Sequence, residues 1–413
     1  MTELIDIPSP DFIDTAAAGI GLVPMFQPIV SLADGTTVGY EVLARWPFLA
    51  QLRPSVVFER AATSGRIDRL DRACTAAGLT AALRAQLGPD HLLMINCEPG
   101  TTQVRCNEDE LTQRARTELQ LVFEITERSL LRRPRALLDK VQAIRSDQFA
   151  VALDDVGAHP DSLALLDVLS PDIIKLDINM VQSRLGDRQA RTFAGVLAHQ
   201  ERTGALILAE GVETDDHLER ALAIGATLGQ GFRFGAAAAV PSPTGASWSL
   251  PAVSRSEQRI PCSPFEAVRR HSPVRTVCRS TVSALTHHVE SHASPGFDPP
   301  MLLTALQHRK YFNETTRDRY RKIAERSVLV AVFGEMLPRG LGPGIRGVTL
   351  NSGDPLRDEW VVIVLGPHTA AALIAREHPA ASGSGGDQLF DMVLTYDRAL
   401  VTSAARALMY RIH

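Results

Sequence analysis

The sequence predicts an α/β protein, a (β/α)₈ TIM-like barrel followed by a smaller α/β domain. From about Pro24 to Gly235, short β-rich runs alternate with longer amphipathic stretches, the rhythm of βα units around a parallel sheet. Eight such runs fall within roughly 220 residues, the size of a closed barrel. After them, the Pro- and Ser-rich stretch from Pro241 to Pro264 has no periodicity and reads as a linker. At 413 residues the chain is also longer than a single hydrophobic core usually supports.

The expected barrel strands are, in order, Phe26 to Val30, Val38 to Leu43, Leu92 to Ile95, Leu121 to Ile125, Phe149 to Leu153, Ile173 to Leu176, Ala205 to Ala209 and a short run near Thr227. Helical periodicity marks Arg69 to Leu87, Pro134 to Ser146, Arg188 to Arg202, and Asp215 to Ile224, the last opened by Thr214 as N-cap. This partitions the chain into a tail (1–20), the barrel (21–240), the linker (241–264) and a second domain (265–413). In that domain, initial helical segments precede strands at Val328 to Phe333, Gly347 to Leu350 and Trp360 to Leu365. A helix from Thr369 to Arg376, a Gly/Ser loop, a strand from Met392 to Tyr396 and a closing helix from Ala399 to Arg411 complete it.

With 45% hydrophobic and 22% charged residues, the chain has the composition of an ordinary globular protein, which excludes wholesale disorder. Forty-three basic against 47 acidic residues leave a net charge of −4, so no global basic field draws it to DNA or to an anionic membrane. No run is long enough to span a bilayer, and the N-terminus carries Glu3, Asp6, Asp11 and Asp14 where a leader would be basic and then apolar. A cytoplasmic protein is expected. Five cysteines without a CxxC pair read as reduced thiols. Arginine supplies 39 of the 43 basic residues, so each of the four lysines stands out, because lysine alone of the two can lose its proton in a tuned site. Lys175 is the one assigned a chemical task; Lys140, Lys310 and Lys322 read as ordinary.

In a parallel barrel the C-terminal strand ends meet at one mouth above an apolar layer. The residues at those ends are Glu41, Asn96, Glu124, the pair Asp154 and Asp155, Lys175, Glu210 and Gln230. Five carboxylates sharing one mouth need compensating charge, and a divalent cation supplies it. The donors are all oxygen, which favours Mg²⁺, Mn²⁺ or Ca²⁺ over zinc. Such a cluster suits one ion or two, and two ions would clamp the attacking and leaving oxygens of a phosphodiester displacement. Asp154 and Asp155 are consecutive, so only a turn lets both face the mouth, and Gly157 offers one. Lys175, between apolar neighbours and these acids, is an admissible water-activating group.

Those residues sit in blocks that resemble the EAL family of cyclic di-GMP phosphodiesterases. FQPIV (Phe26 to Val30) precedes EVLAR (Glu41 to Arg45), and INCEP, FEITE, ALDDVG, IIKLD, LAEGVET and GQGF follow in the family's order and spacing. The resemblance implies a first metal held by Glu41, Asn96, Glu124 and Asp154 and a second held by Asp154, Asp155 and Glu210, with Mg²⁺ or Mn²⁺ as the ions. It further implies that Lys175 orients or deprotonates the attacking water, that Gln27, Arg45 and Gln230 contact substrate, and that Glu127 and Glu213 support the metal loop. The implied reaction converts cyclic di-GMP to linear pGpG, and a homodimer through the barrel is implied as well.

The chain departs from the family pattern after the aspartate pair, where DDVGAHPDSL replaces a sequence close to DDFGTGYSSL, and at FRFGAAAA, where a proline usually follows the glycine. The altered loop motivates an alternative expectation, a weak or silent barrel that binds cyclic di-GMP as a receptor. The C-terminal region is similar to the DICT type of sensory domain through DPLRDEWVVIVLGPHTAAALIARE and FDMVLTYDRALV. That implies an unidentified sensory ligand or partner acting on the barrel. HHVESH reads as a solvated helix face.

Overall fold

The structure is a computed structural model that describes residues 10–101, 109–126, 131, 133–158, 161–184, 186–241, 248–251, 260–293, 299–307, 311–379 and 388–413. Its first unit is a closed barrel of β1 (Val23–Ser31), β2 (Thr37–Arg45), β3 (Leu92–Cys97), β4 (Gln120–Thr126), β5 (Ala150–Val156), β6 (Ile173–Leu176), β7 (Leu206–Ala209) and β8 (Leu228–Gly229). The all-parallel expectation fails at one strand, because β1 runs antiparallel to both β2 and β8. Only five residues separate β1 from β2, too few for a parallel crossover, so the two form a hairpin.

Strand alternation builds the barrel in layers. Leu92 and Met94, Val122, Ala150 and Ala152, Ile173, Leu208 and Leu228 fill the interior as one apolar cluster. Their neighbours Leu93 and Ile95, Phe123, Val151 and Leu153, Ile174 and Ile207 point outward to the helices. The next inward position on each strand therefore falls on Asn96, Glu124, Asp154, Lys175, Glu210 and Gln230, which crown the apolar plug. On β2 a register shift against Ile29 and Val30 lets Val38 and Glu41 both belong to the interior. Gly39 beside it is obligatory: a Cβ there would lie 2.1 Å from the Leu92 carbonyl oxygen.

The second unit is one eight-stranded sheet in the order β12-β13-β11-β10-β14-β15-β16-β9. Its strands are β9 (Arg275–Cys278), β10 (Met301–Ala305), β11 (Leu329–Gly334), β12 (Gly340–Gly342), β13 (Ile345–Thr349), β14 (Glu359–Leu365), β15 (Ala370–Glu377) and β16 (Leu389–Thr395). The expected helix from Thr369 to Arg376 is instead β15, hydrogen-bonded between β14 and β16. Five consecutive residues of that run are buried, so burial on both faces of a central strand overrides alanine's helical preference. Strands β9, β10 and β12 also lie where no strand was expected.

The two faces of this sheet do different things. Leu302, Val330, Val332, Val362, Val364 and Leu373 face the helices Arg279–Ser291 and Glu314–Ala324. Leu303, Ala331, Val361, Ile363, Ala372 and Ile374 face the opposite way and share one continuous core with the helix Arg398–Met409 and the barrel's own helices. The helix Arg398–Met409 inserts Arg406, only 4% exposed, so that its Nε donates to the Val168 carbonyl at 2.8 Å and its Nη2 to the Asp167 carbonyl at 3.1 Å. Asp167 itself takes ion pairs from Arg398 and Arg202 and faces His199. Arg346 Nη1 donates to the Leu131 carbonyl at 2.9 Å, a further tie between the units. Among the described residues, no helix is long and apolar enough to cross a membrane, and Cys74, Cys97, Cys262 and Cys278 are free thiols; Cys106 lies outside them.

Candidate functional site

The mouth of the barrel gathers the residues that the strand ends predict. Lys175 is 1% exposed, and its Nζ lies 2.7 Å from Glu210, 2.9 Å from Glu124, 3.0 Å from Asp154 and 3.5 Å from Glu41. Glu41 is oriented from both sides, since Asn96 Nδ2 donates to its Oε1 at 2.9 Å and Gln230 Nε2 to its Oε2 at 2.7 Å. Gln27 pairs with Glu41 across β1 and β2, so the two side chains share the inner face. Gln230 is buried against Glu41, while Arg45 stands at the exposed end of β2.

The turn that presents both aspartates begins two residues before the glycine. The β5 to β6 register shifts between Leu153 and Val156, and Asp155 adopts φ +57°, the left-handed region that non-glycine residues rarely enter. Gly157 follows at φ +102°, where a Cβ would meet Met180 Cγ and Sδ at 2.8 Å. As a result Asp154, Asp155 and Glu210 each offer a carboxylate oxygen within 4.8 Å of the others.

Electrostatics at the mouth are unbalanced. Burial, and then Glu41, push the Glu124 carboxyl well above the ordinary range against the pull of Lys175. Burial likewise lifts Glu210 to about 8, opposed by Lys175 and reinforced by Asp154. Burial works against the Lys175 charge, yet Asp154, Glu124, Glu210 and Glu41 together hold its ammonium well above the usual lysine range. One ammonium does not neutralise five carboxylates, and the excess charge shows in the upward shifts of Glu124 and Glu210. Glu124 Oε1 is buried with no hydrogen-bond partner, an acceptor that a cation would satisfy. The carboxylate and amide oxygens fit a hard divalent ion.

A cavity of about 450 Å³ opens beside these groups, lined by Glu41, Asn96, Asp155 and Arg45 on its polar side and by Leu22, Pro24, Phe58 and Ile67 on its apolar side. Cys97 also lines it, but burial pushes that thiol up to about 12, which removes it as a nucleophile.

Sequence reasoning passed over the support beneath this site. Asp71, on the helix Ile67–Arg84, accepts the Glu98 N–H at 3.0 Å and the Thr101 hydroxyl. Lys140 Nζ, buried, lies 3.4 Å from Asp71 and donates to Thr101 Oγ1 at 2.8 Å. The cluster pins the loop that follows β3, the strand that carries Asn96. Its one signal in the sequence is the rarity of lysine. Glu213 is exposed, immediately ahead of the N-cap Thr214. Glu127, His159 and Pro160 lie outside the described residues.

Residues 13–237 match the EAL domain model, and residues 266–378 match the model described as a sensory domain in diguanylate cyclases and two-component systems. The cyclic di-GMP phosphodiesterase RocR of Pseudomonas aeruginosa is 32% identical over 218 residues, 51% of this chain and 55% of that protein. The probable cyclic di-GMP phosphodiesterase PdeG of Escherichia coli K12 is 31% identical over 225 residues, 52% of this chain and 44% of that protein. This chain thus spans about half the length of the curated relatives it matches. Among solved structures, the Klebsiella pneumoniae BlrP1 calcium/cy-diGMP complex is 26% identical with a TM-score of 0.45, covering 54% of this chain and 57% of that one. With the family model matched across more than half of its residues, the chain belongs to the EAL-domain family.

Proposed function

We propose that this protein hydrolyses one phosphodiester of cyclic di-GMP to linear pGpG, and that the C-terminal domain regulates it. The observation that supports this reading most strongly is the polar crown of the barrel: five carboxylates, two amides and a buried lysine at successive strand ends, beside a cavity with one apolar and one polar wall. The phosphodiesterase names of the matched relatives give the substrate class.

Glu41, Asn96, Glu124 and Asp154 would hold one divalent ion, and Asp154, Asp155 and Glu210 a second. Bound Mg²⁺ or Mn²⁺ would neutralise the acids and polarise the scissile phosphodiester. Asn96 and Gln230 fix the Glu41 carboxylate so that it needs no reorientation. Arg45 offers a planar fork to a non-bridging phosphate oxygen at the rim. Lys175 Nζ, central to the acids, is the donor that would orient an attacking water, and it would accept that water's proton only once bound cations neutralise the acids that keep it charged. The apolar wall of Leu22, Pro24 and Phe58 suits a guanine face. The helix Asp161–Leu169 follows the Asp154–Asp155 turn directly and is gripped by Arg398 and Arg406, which supports control from the second domain.

The test is incubation of the full chain with cyclic di-GMP in Mg²⁺ and then Mn²⁺, with pGpG followed by chromatography beside direct binding. Metal-dependent pGpG that disappears in Glu41→Ala is the expected result. Tight binding without pGpG would replace the enzyme with a receptor, the reading that the altered DDVGAHPDSL loop favours.

A further inference from the structure

We propose that the second domain carries its own small-molecule site, built for a planar aromatic molecule with a single anionic group. The site is a cavity of about 380 Å³ at the C-terminal end of β10, between the helices Arg279–Ser291 and Glu314–Ala324. That volume lies within the range of small-ligand pockets. It opens on the sheet face turned away from the barrel.

Its lining is arranged rather than incidental. Arg279, Ser283, Thr286, His287 and Glu290 fall at helical spacing on one face of the helix Arg279–Ser291, and all border the cavity. Opposite them, Tyr311 and Trp360 lie nearly parallel, 15° apart with centroids 6.5 Å from each other. The Arg279 guanidinium sits 4.6 Å from the Tyr311 ring centroid and 5.5 Å from that of Trp360. Its Nη1 donates to Gln388 Oε1 at 2.8 Å, and no carboxylate pairs with it among the described residues.

The remaining charges in the cavity are already spent on each other. Glu290, 2% exposed, faces Arg319 Nε at 2.7 Å and accepts from the Tyr320 hydroxyl at 2.6 Å. Among the described residues this leaves the Arg279 guanidinium without a carboxylate, which selects for one negative charge on a ligand. Two buried polar atoms point to the same conclusion. Thr286 is 6% exposed and its Oγ1 has no partner, and Trp360 Nε1 is buried and has none either. Buried polar groups rarely remain unsatisfied, and a ligand with an acceptor would satisfy both. The aromatic pair supplies a stacking wall, and Arg279, held against that wall, places the charge beside the ring.

The experiment uses calorimetric titration of the full chain with 2-naphthoate, 2-naphthalenemethanol and cyclohexanecarboxylate, which separate the anionic requirement from the aromatic one. Naphthoate is expected to bind one per chain and at least ~10-fold tighter than either analogue, a gap of about 1.4 kcal/mol. Arg279→Gln is expected to weaken naphthoate by a similar factor while the unfolding temperature holds. Thr286→Val is the second variant: it should weaken naphthoate yet leave the unfolding temperature unchanged or higher, because its hydroxyl has no partner to lose. Naphthoate binding no tighter than the alcohol, or unaltered in Arg279→Gln, would overturn the proposal, as would no heat of binding at all. None of these readouts depends on turnover at the barrel.

Discussion

Lys140 Nζ and Asp71 Oδ2 lie 3.4 Å apart, both buried, beneath the loop that follows β3. Removing one partner of a buried pair strands the other charge, so Lys140→Met should lower the unfolding free energy by ~3–5 kcal/mol, whereas the double variant with Asp71→Leu should recover most of it. Urea denaturation of both variants checks this, and equal destabilisation by the double variant would deny the pairing its role. The pair also marks a limit of reading the chain. Lys175 was legible because it closes a strand among strands that each end in a polar residue. Lys140 and Asp71 are 69 residues apart and carry no shared motif, so only the closed barrel brings the helices Pro134–Ser146 and Ile67–Arg84 that carry them together.

At the scale of elements, the end of β5 shows how far alternation carries and where it stops. Inward and outward residues alternate up to Asp154, which is why the crown of the barrel could be foreseen. Asp155 breaks the period with its left-handed backbone, and Gly157 completes the bend under Met180. Gly157→Ala should cost ~1–3 kcal/mol of backbone strain and, by displacing Asp155, raise the Mn²⁺ concentration needed for half-maximal turnover. Thermal unfolding and a metal titration measure the two effects, and an unchanged metal requirement would separate the bend from the site. Strand β15 was illegible for a different reason. An alanine-rich run has no two-residue alternation when both its faces are buried, and only its neighbours β14 and β16 decide that it is extended.

For the molecule as a whole, Asp167 is the charge on which the two units meet. Burial opposes its ionisation, but His199, Arg398 and Arg202 hold its carboxyl well below the usual range. A carboxyl depressed on folding stabilises fully above its unfolded value of ~3.9 and loses that contribution as pH falls through the lower folded value. Asp167→Asn should therefore unfold at lower temperature than the parent at pH 7, with the gap unchanged down to about pH 5 and closing only in stronger acid. A gap that already closes between pH 7 and 5 would show that the Asp167 carboxyl is not held below its ordinary range. The strand order of the second sheet bears on how the chain matures. The barrel can close once residues up to β8 have been synthesised, but β9 waits for β16, its only partner among the described strands, which is made more than a hundred residues later. At ~5–20 residues per second, the apolar flank destined for the helix Arg398–Met409 faces the cytosol of the producing cell for on the order of ten seconds. Newborn chains thus pass through an interval in which a chaperone, or another nascent copy, competes for the surface that the finished protein conceals.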